Sequence, residues 1–384
     1  MRKLVLGLIS VLLFTAGCKG KYSEHVLDLD VFEEIELSPL TSDVKIVPIK
    51  CSIPMDGIRQ AREYDDYTIM LGSRRETIYI LKEDSVVAIL NSVGRGHGEY
   101  SSIDDFAYDE ESKVIYVNAD RKLLKYDVPS MTFIGSLDIN YSICGMIVLN
   151  KDEILVNCSY NGYSEDTKPF KGICVISSVT GEILRRCLEF DYYEGFCSCM
   201  EDMIESGDDI FLSTGGLYIN RILQMDSKTK KINELESFSF SPKWRVPKKL
   251  LKKARKNDMF GFSEEADART VYCDGCHYPA IINSKITYWC YPYFDNISKR
   301  SNIVNIKVGE KTISRKFFIP GMKQPICPYY YKDNHFVVVI YRSVESLVTD
   351  KDELSDFGKE ICSKMNAQPF NNPVLLSFTV DKDL

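Results

Sequence analysis

Asp65-Asp66-Tyr67-Thr68-Ile69-Met70-Leu71 places a polar turn directly before a run of strand-forming residues. The same device recurs at 110–113 before 114–117, at 150–153 before 154–157, and at 206–209 before 210–213. It recurs again at 283–285 before 286–289 and at 332–335 before 336–340. Asp, Asn, Ser and Gly tolerate the tight backbone of a turn, and β-branched and aromatic residues fit a pleated surface. Each instance therefore reads as a hairpin. Successive strands start 46, 40, 56, 76 and 50 residues apart.

Further strand-type runs flank each hairpin. Around the first turn they lie at 58–64, 77–81 and 86–93; around the second, at 104–109, 123–127 and 132–137. Four short antiparallel strands in each 40–50 residues are the signature of a propeller blade. The reading is an all-β, six-bladed β-propeller over residues 43–384 with small helical insertions, and a two-domain β-sandwich protein is the alternative. Three insertions explain the longer intervals: a polar loop at 159–170, a basic helical excursion at 241–269 and a helix at 350–365. The sixth unit has strands at 336–341 and 374–379 but lacks an outer strand. Residues 44–48 are expected to supply it, which joins the two ends of the ring in one blade and removes exposed edges.

Composition agrees. With 45% hydrophobic and 27% charged residues the chain is globular, and 23 Tyr and 19 Phe favour strands. A net charge of −7 argues against nucleic acid as a partner.

The N-terminus carries an address. Met1-Arg2-Lys3 is basic, 4–14 is apolar, and Thr15-Ala16-Gly17-Cys18 follows. Basic, apolar, then small residues read as a signal peptide over 1–17, too short to span a membrane as a mature helix. The Cys after Ala-Gly resembles a bacterial lipoprotein signal, which implies that Cys18 becomes the lipidated N-terminus. Cleavage removes Arg2 and Lys3 and no acid, so the mature chain is more acidic still. Residues 18–42 are expected to be a lipidated tether. Lys19-Gly20-Lys21 lacks the acidic run that surface lipoproteins of gut anaerobes carry after the Cys, which favours the periplasmic side of the outer membrane over the cell surface.

Val44-Lys45-Ile46-Val47-Pro48-Ile49 resembles the opening strand of the six-bladed β-propeller lipoproteins of gut Gram-negative anaerobes. Gly94-Arg95-Gly96-His97-Gly98-Glu99-Tyr100, followed by Asp104-Asp105-Phe106-Ala107, is similar to their glycine-rich link between blades one and two, with His97 where Pro is usual. Asn372-Pro373-Val374-Leu375-Leu376 resembles their closing strand. The resemblance runs from about 32 to 379 and is distantly similar to NHL-repeat propellers, most of which are interaction platforms. It implies fold far more than activity.

Several stretches are candidates for chemistry. The glycine-rich link ends in Glu-Tyr before a strand, where a phosphate loop needs Gly-Lys-Ser/Thr before a helix. It reads instead as a demanding turn, with Arg95, His97, Glu99 and Tyr100 as a candidate ligand loop. Cys273-Asp274-Gly275-Cys276-His277 has the spacing of a c-type haem attachment, yet no helical haem module surrounds it. A structural disulfide or plain thiols is the preferred reading, with a zinc or redox-active pair behind it. Of 13 cysteines, Cys18 is assigned to lipid; Cys144, Cys158 and Cys174 fall in strands as small buried hydrophobes. Lys243, Arg245, Lys248, Lys249, Lys252, Lys253, Arg255 and Lys256 form a basic run with a Leu250, Leu251 and Ala254 stripe. It reads as a solvated insertion in preference to a membrane-docking helix. Asp65-Asp66, Asp104-Asp105 and Asp208-Asp209 read as turn acids, and Asp84-Ser85-Val86 resembles an O-glycosylation sequon.

No hydrolase or metalloprotease signature is present, and neither catalytic, metal nor cofactor residues are assigned. The expectation is a lipid-anchored cell-envelope platform, bound to membrane through its lipid, taking a protein, peptide or glycan ligand. A polysaccharide hydrolase or lyase is the competing class. Two carboxylates from different blades facing one cleft would favour it.

Overall fold

The computed structural model describes residues 25–39, 43–139, 141–159, 172–190, 203–206, 208–214, 220–245, 272–282, 285–293, 303–323, 326–332, 335–341, 344–349 and 352–379. The chain starts with three short strands, β1 (His25–Leu27), β2 (Glu33–Glu36) and β3 (Lys45–Pro48). Blade 1 follows as β4 (Ile58–Glu63), β5 (Thr68–Gly72), β6 (Ile78–Lys82) and β7 (Ser85–Leu90). Blade 2 is β8 (Ile103–Asp109), β9 (Val114–Ala119), β10 (Lys122–Asp127) and β11 (Phe133–Asp138). Blade 3 is β12 (Ser142–Asn150), β13 (Glu153–Ser159), β14 (Gly172–Ser177) and β15 (Ile183–Glu189). Blade 4 is β16 (Met203–Ser206), β17 (Asp209–Ser213), β18 (Asn220–Asp226) and β19 (Ile232–Phe240). Blade 5 is β20 (Tyr272–Ile282), β21 (Lys285–Tyr293), β22 (Ile303–Val308) and β23 (Lys311–Phe318). Blade 6 is β24 (Tyr330–Lys332), β25 (His335–Ile340), β26 (Val374–Thr379) and, from the other end of the chain, β3. The six-bladed propeller read from the repeats is the observed fold.

The first strands of neighbouring blades pack side by side, β8 on β12, β12 on β16, β16 on β20 and β24 on β4. They therefore line the ring axis. Burial follows from stacking: a middle strand such as β9 has a neighbouring blade on each face and is buried along nearly its whole length, while outer β11 alternates half-buried and exposed. Apolar clusters lie between blades. One runs through blades 1, 2 and 3 (Ile80, Phe106, Ile154), and another joins blade 6 to blade 1 (Val339, Leu375, Met70). Asn118 at the end of β9 reaches across the gap, its Nδ2 donating to Ile143 O at 3.0 Å.

Ring closure is as expected: β3 pairs antiparallel with β26, Ile46 opposite Leu376 and Val47 opposite Leu375. Tyr329 Oη donates to Ile58 O at 2.9 Å, tying blade 6 to blade 1. Buried Asn372 locks the same junction. Its Oδ1 accepts from Met55 N–H at 3.0 Å and its Nδ2 donates to Cys51 O at 3.1 Å. Asn372→Ala leaves these buried backbone groups without that side chain and is expected to lower stability by about 1–3 kcal/mol in urea unfolding. Helices α1 (Val344–Leu347) and α2 (Asp356–Asn366) are inserted before β26, matching the helix expected at 350–365. In α2, Ser355 Oγ accepts from Gly358 N–H, and Phe357, Ile361 and Met365 lie at i, i+4 and i+8, facing the core.

The stretch expected to be a tether differs. From His25 it is part of the ring: β1 pairs parallel with β19 and gives blade 4 a fifth strand, and β2 does the same for blade 5 on β23. Leu27, Leu29 and Leu37 are buried between these contacts. Strands of three and four residues cannot form alone, so the tertiary edge creates them. Residues 1–24, the polar loop from 160 and the basic run beyond Arg245 lie outside the described residues.

Beneath β1, the Glu236 side chain is fully buried with Lys307 Nζ 3.8 Å from its Oε1, and neither carboxylate oxygen has a hydrogen bond. Burial pushes this carboxyl up to about 7 against the pull of Lys307. The fold then holds a proton that the unfolded chain releases near 4.5. Glu236 therefore favours the fold below pH 4.5 relative to neutral pH, and stability falls as pH rises towards 7. Glu236→Gln is expected to remove up to about 3 kcal/mol of that pH slope, read from melting temperatures across pH 4–8.

Candidate functional site

The axis is narrow and strongly tied. Arg62 on β4 reaches across two blades: Nη1 donates to Phe106 O of blade 2 and, at 2.8 Å, to Met146 O of blade 3. Its Nη2 donates to Asp105 Oδ1 at 3.0 Å and Oδ2 at 3.3 Å, and Gln60 Nε2 donates to the same carboxylate at 2.7 Å. Burial pushes the Asp105 carboxyl up, while Arg62 and Gln60 pull it down. The guanidinium also sits 5.1 Å from the Phe106 ring centroid. Three blades are thereby pinned by one side chain.

Beside this staple, Arg62, Glu63, Tyr64, Glu205 and Tyr330 line a cavity of about 60 Å³. Glu205 on β16 is enclosed by the inner strands yet open to channel water. Enclosure, and then the Glu110 charge, push its carboxyl up to about 7, with Arg62 opposing. Water reaching the carboxylate limits that shift without reversing it.

A larger cleft of about 590 Å³ opens beside it between blade 6 and blade 1, sharing Glu63, Tyr64 and Tyr330 with the channel. Its walls are the β4–β5 turn (Tyr64, Asp65, Asp66, Tyr67), the β6–β7 turn (Lys82, Glu83, Asp84), and Val337, Leu375 and Ser377. Short turns between antiparallel strands place all these hairpins on one face of the ring. The tyrosines are positioned from behind. Tyr108 packs edge-on against both Tyr64 (centroids 5.3 Å) and Tyr67 (5.9 Å), and its N–H donates to Tyr64 Oη at 3.3 Å. Lys113 and Lys50 pair with Asp66 and Asp84 and hold both carboxyls below the usual range, so they are ionised at neutral pH. The cleft is thus preformed, aromatic on one wall and anionic at its mouth.

The candidate ligand loop lies elsewhere. It follows β7, so it sits on the opposite face. Arg95, His97 and Glu99 are exposed, but Tyr100 is fully buried, and its Oη donates to Glu76 O at 2.9 Å and accepts from Ser92 N–H at 3.1 Å. Burial pushes the Tyr100 phenol up to about 12. Tyr100 is a framework residue that a ligand cannot touch. Glu99 caps its own loop by accepting from Gly96 N–H at 2.6 Å, and His97 packs edge-on to Phe133 at 4.8 Å. Gly98 adopts φ +77°, and an added Cβ would lie 2.6 Å from Phe133 Cγ. Gly98→Ala is expected to cost about 2 kcal/mol, visible as a lower unfolding midpoint with the cleft unaffected.

The acid pairs divide. Asp66 and Asp208 pair with Lys113 and Lys228 at turns, as expected. Asp104-Asp105 corrects the turn reading: both lie on β8, Asp104 exposed beside Arg75 and Asp105 buried on Arg62, because adjacent strand residues face opposite ways. Cys273 to His277 run along β20, with Cys276 opposite Cys290 and a register shift after Cys273. Lys243 pairs with Asp30 of the N-terminal segment, and neighbouring Trp244 is buried against Leu27 and Leu29. The basic run therefore leaves from a docked base. Ser85 opens β7 half-buried, its hydroxyl donating to Asp84. Arg62, Glu63, Tyr64, Tyr67, Glu205 and Tyr330 were not singled out by sequence. The two tyrosines bracketing the first turn were visible, but strand patterning reads them as framework.

A family profile described as a 6-bladed beta-propeller matches residues 17–299. Among solved structures, a Bacteroides fragilis protein described as exported is similar at 15% identity and TM-score 0.67, over 92% of this chain and 100% of that one. A Bacteroides vulgatus protein of another family (10%, TM-score 0.45, 88% and 96% covered) and Kuenenia stuttgartiensis hydrazine synthase (11%, 0.40, 86% and 88%) are similar more loosely. No curated protein matches. Among the described residues no helix is long and apolar enough to cross a membrane, and no cluster of three or more His, Cys, Asp or Glu is placed to hold a metal.

Proposed function

The chain belongs to the 6-bladed β-propeller family, and from that premise we propose that it is a lipid-anchored cell-envelope protein whose ring binds a glycan or peptide segment in the cleft between blades 6 and 1. The cleft itself carries this reading. At about 590 Å³ it lies in the range of small-ligand sites, with tyrosine faces for apolar contact and ionised carboxylates to accept hydrogen bonds. Its walls come from strands and short turns, a scaffold suited to binding with little reorganisation.

The hydrolase reading has two observations in its favour: the raised carboxyl of Glu205, and the placing of Glu63 from blade 1 and Glu205 from blade 4 on one cavity. Dimensions favour the binding reading. Glu205 faces about 60 Å³, whereas a cavity of about 150 Å³ is needed to take a benzene-sized ring. The cleft has room for a pyranose, and its own carboxylates, Asp66 and Asp84, are ionised and ion-paired and so are poor proton donors.

Export has the sequence signal at 1–17 and the exported Bacteroides neighbour as support. With lipid on Cys18, only residues 19–24 separate the anchor from β1. Blade 4 would then be held within about 25 Å of the membrane surface, presenting the ring by its edge. Cys18→Ala is the test of the anchor: the protein should move from the membrane to the soluble envelope fraction, and unchanged membrane retention would refute it.

Ligand binding is tested on glycan and peptide arrays with the soluble chain from Lys19, as wild type and as Ser377→Trp, which puts a large side chain on the cleft wall. Binding should fall at least roughly tenfold in Ser377→Trp at an unchanged melting temperature. Absence of any ligand, or equal binding by both proteins, contradicts the proposal.

A further inference from the structure

Blade 3 carries one cysteine in each of its four strands: Cys144 in β12, Cys158 in β13, Cys174 in β14 and Cys187 in β15. Two of them meet. Cys158 Sγ lies 3.3 Å from Cys174 Sγ, and both residues are buried. In the antiparallel ladder Cys158 stands opposite Gly172 and Cys174 opposite Val156, so the two are diagonal neighbours across β13 and β14.

We propose that Cys158 and Cys174 are joined by a disulfide in the mature protein, closing residues 159–173 into a covalent loop. The sulfurs need to approach from 3.3 Å to about 2.05 Å, which takes side-chain rotation together with a small shift of the two strands. An oxidising envelope is the compartment in which such a bond persists. Diagonal positions are wider than directly opposed ones, so the bond carries some strain and is easier to reduce than an ideal one.

The chemistry also fixes when the bond forms. In the folded blade both sulfurs are buried out of reach of an exogenous disulfide, and the neighbouring Cys174 thiol, then burial, push the Cys158 thiol up and away from the thiolate form. Oxidation therefore precedes the burial of β14. One cysteine thiolate attacks an exogenous disulfide, such as oxidised glutathione or an envelope protein disulfide, and forms a mixed disulfide while releasing one donor thiolate. The second cysteine thiolate attacks that mixed disulfide and releases the other. Two cysteines are oxidised, one donor disulfide becomes two thiols, and the two cysteine protons pass to the released thiolates.

The test uses the chain from Lys19, unfolded and reduced, then refolded with reduced and oxidised glutathione. It needs no export, so its outcome is separate from the envelope reading. The refolded protein is alkylated in denaturant without reductant, digested and analysed by mass spectrometry. The expected product is a linked peptide pair containing Cys158 and Cys174, lighter by two hydrogens than the separate peptides, with both residues alkylated only after reduction. Full alkylation of either cysteine before reduction overturns the proposal. So does a link from either one to Cys144 or Cys187.

Discussion

Replacing Arg62 with methionine is expected to destabilise the ring by about 3–5 kcal/mol, because it leaves the Asp105 carboxylate buried without its partner. The Asp105 side chain is 1% exposed and that of Arg62 12%, so water cannot take over the role of either. The loss should also appear as disorder between blades, since the same guanidinium donates to Phe106 O and Met146 O. Without Arg62, only hydrogen bonds such as that from Gln60 oppose burial, which raises the Asp105 carboxyl further above the unfolded value of 3.8. The variant should therefore regain stability as pH falls towards 4. The double variant Arg62→Met with Asp105→Leu removes both charges and should recover most of the loss. Urea unfolding of the three proteins checks this. Equal stability of the single variant and wild type would show that the staple does not pin the blades.

Removing residues up to 42 while keeping β3 is the second large effect. Leu27, Leu29 and Leu37 lose their burial, at about 1.5–3 kcal/mol each, so the loss is on the order of 5 kcal/mol. The ladders of β1 on β19 and β2 on β23 are lost with them, as are the pairs of Arg315 with Glu33 and Lys316 with Glu34. Bare edges on blades 4 and 5 then invite pairing between molecules, and light scattering should show association at concentrations where the longer chain is monomeric. Leu29→Ala with Leu37→Ala separates packing from edge exposure: stability should fall by about 2–5 kcal/mol per site while the edges stay covered. A shortened chain that melts with the full one would mean that the N-terminal segment is only a tether.

The blades were legible because each is local: a two-to-four-residue polar turn between strand-forming runs repeats whatever the rest of the chain does. Closure was legible too, since the last unit lacked a strand and 44–48 could supply one. The N-terminal strap was not. Glu33-Glu34-Ile35-Glu36 reads as solvated chain, and only the free edge of β23 makes it a strand. The cleft was hidden for a related reason: Tyr64, Tyr67 and Ser377 lie at opposite ends of the chain and meet only through ring closure. Asp105 shows what a closer reading could have recovered. On a strand beside the axis, one of two adjacent acids must face inward, and a buried acid needs a cation. In the glycine-rich loop two of the four polar residues serve the fold, while Arg95 and His97 are exposed. Glu99 caps Gly96, and Tyr100 holds Glu76 and Ser92.

Amide hydrogen exchange on the soluble chain, with and without the tightest array ligand, tests most directly where the ring binds. Protection is predicted at 62–68 and 82–84, the turns that wall the cleft. Protection confined to the loop at 94–100 on the opposite face, or none at either place, would contradict the cleft as the binding site.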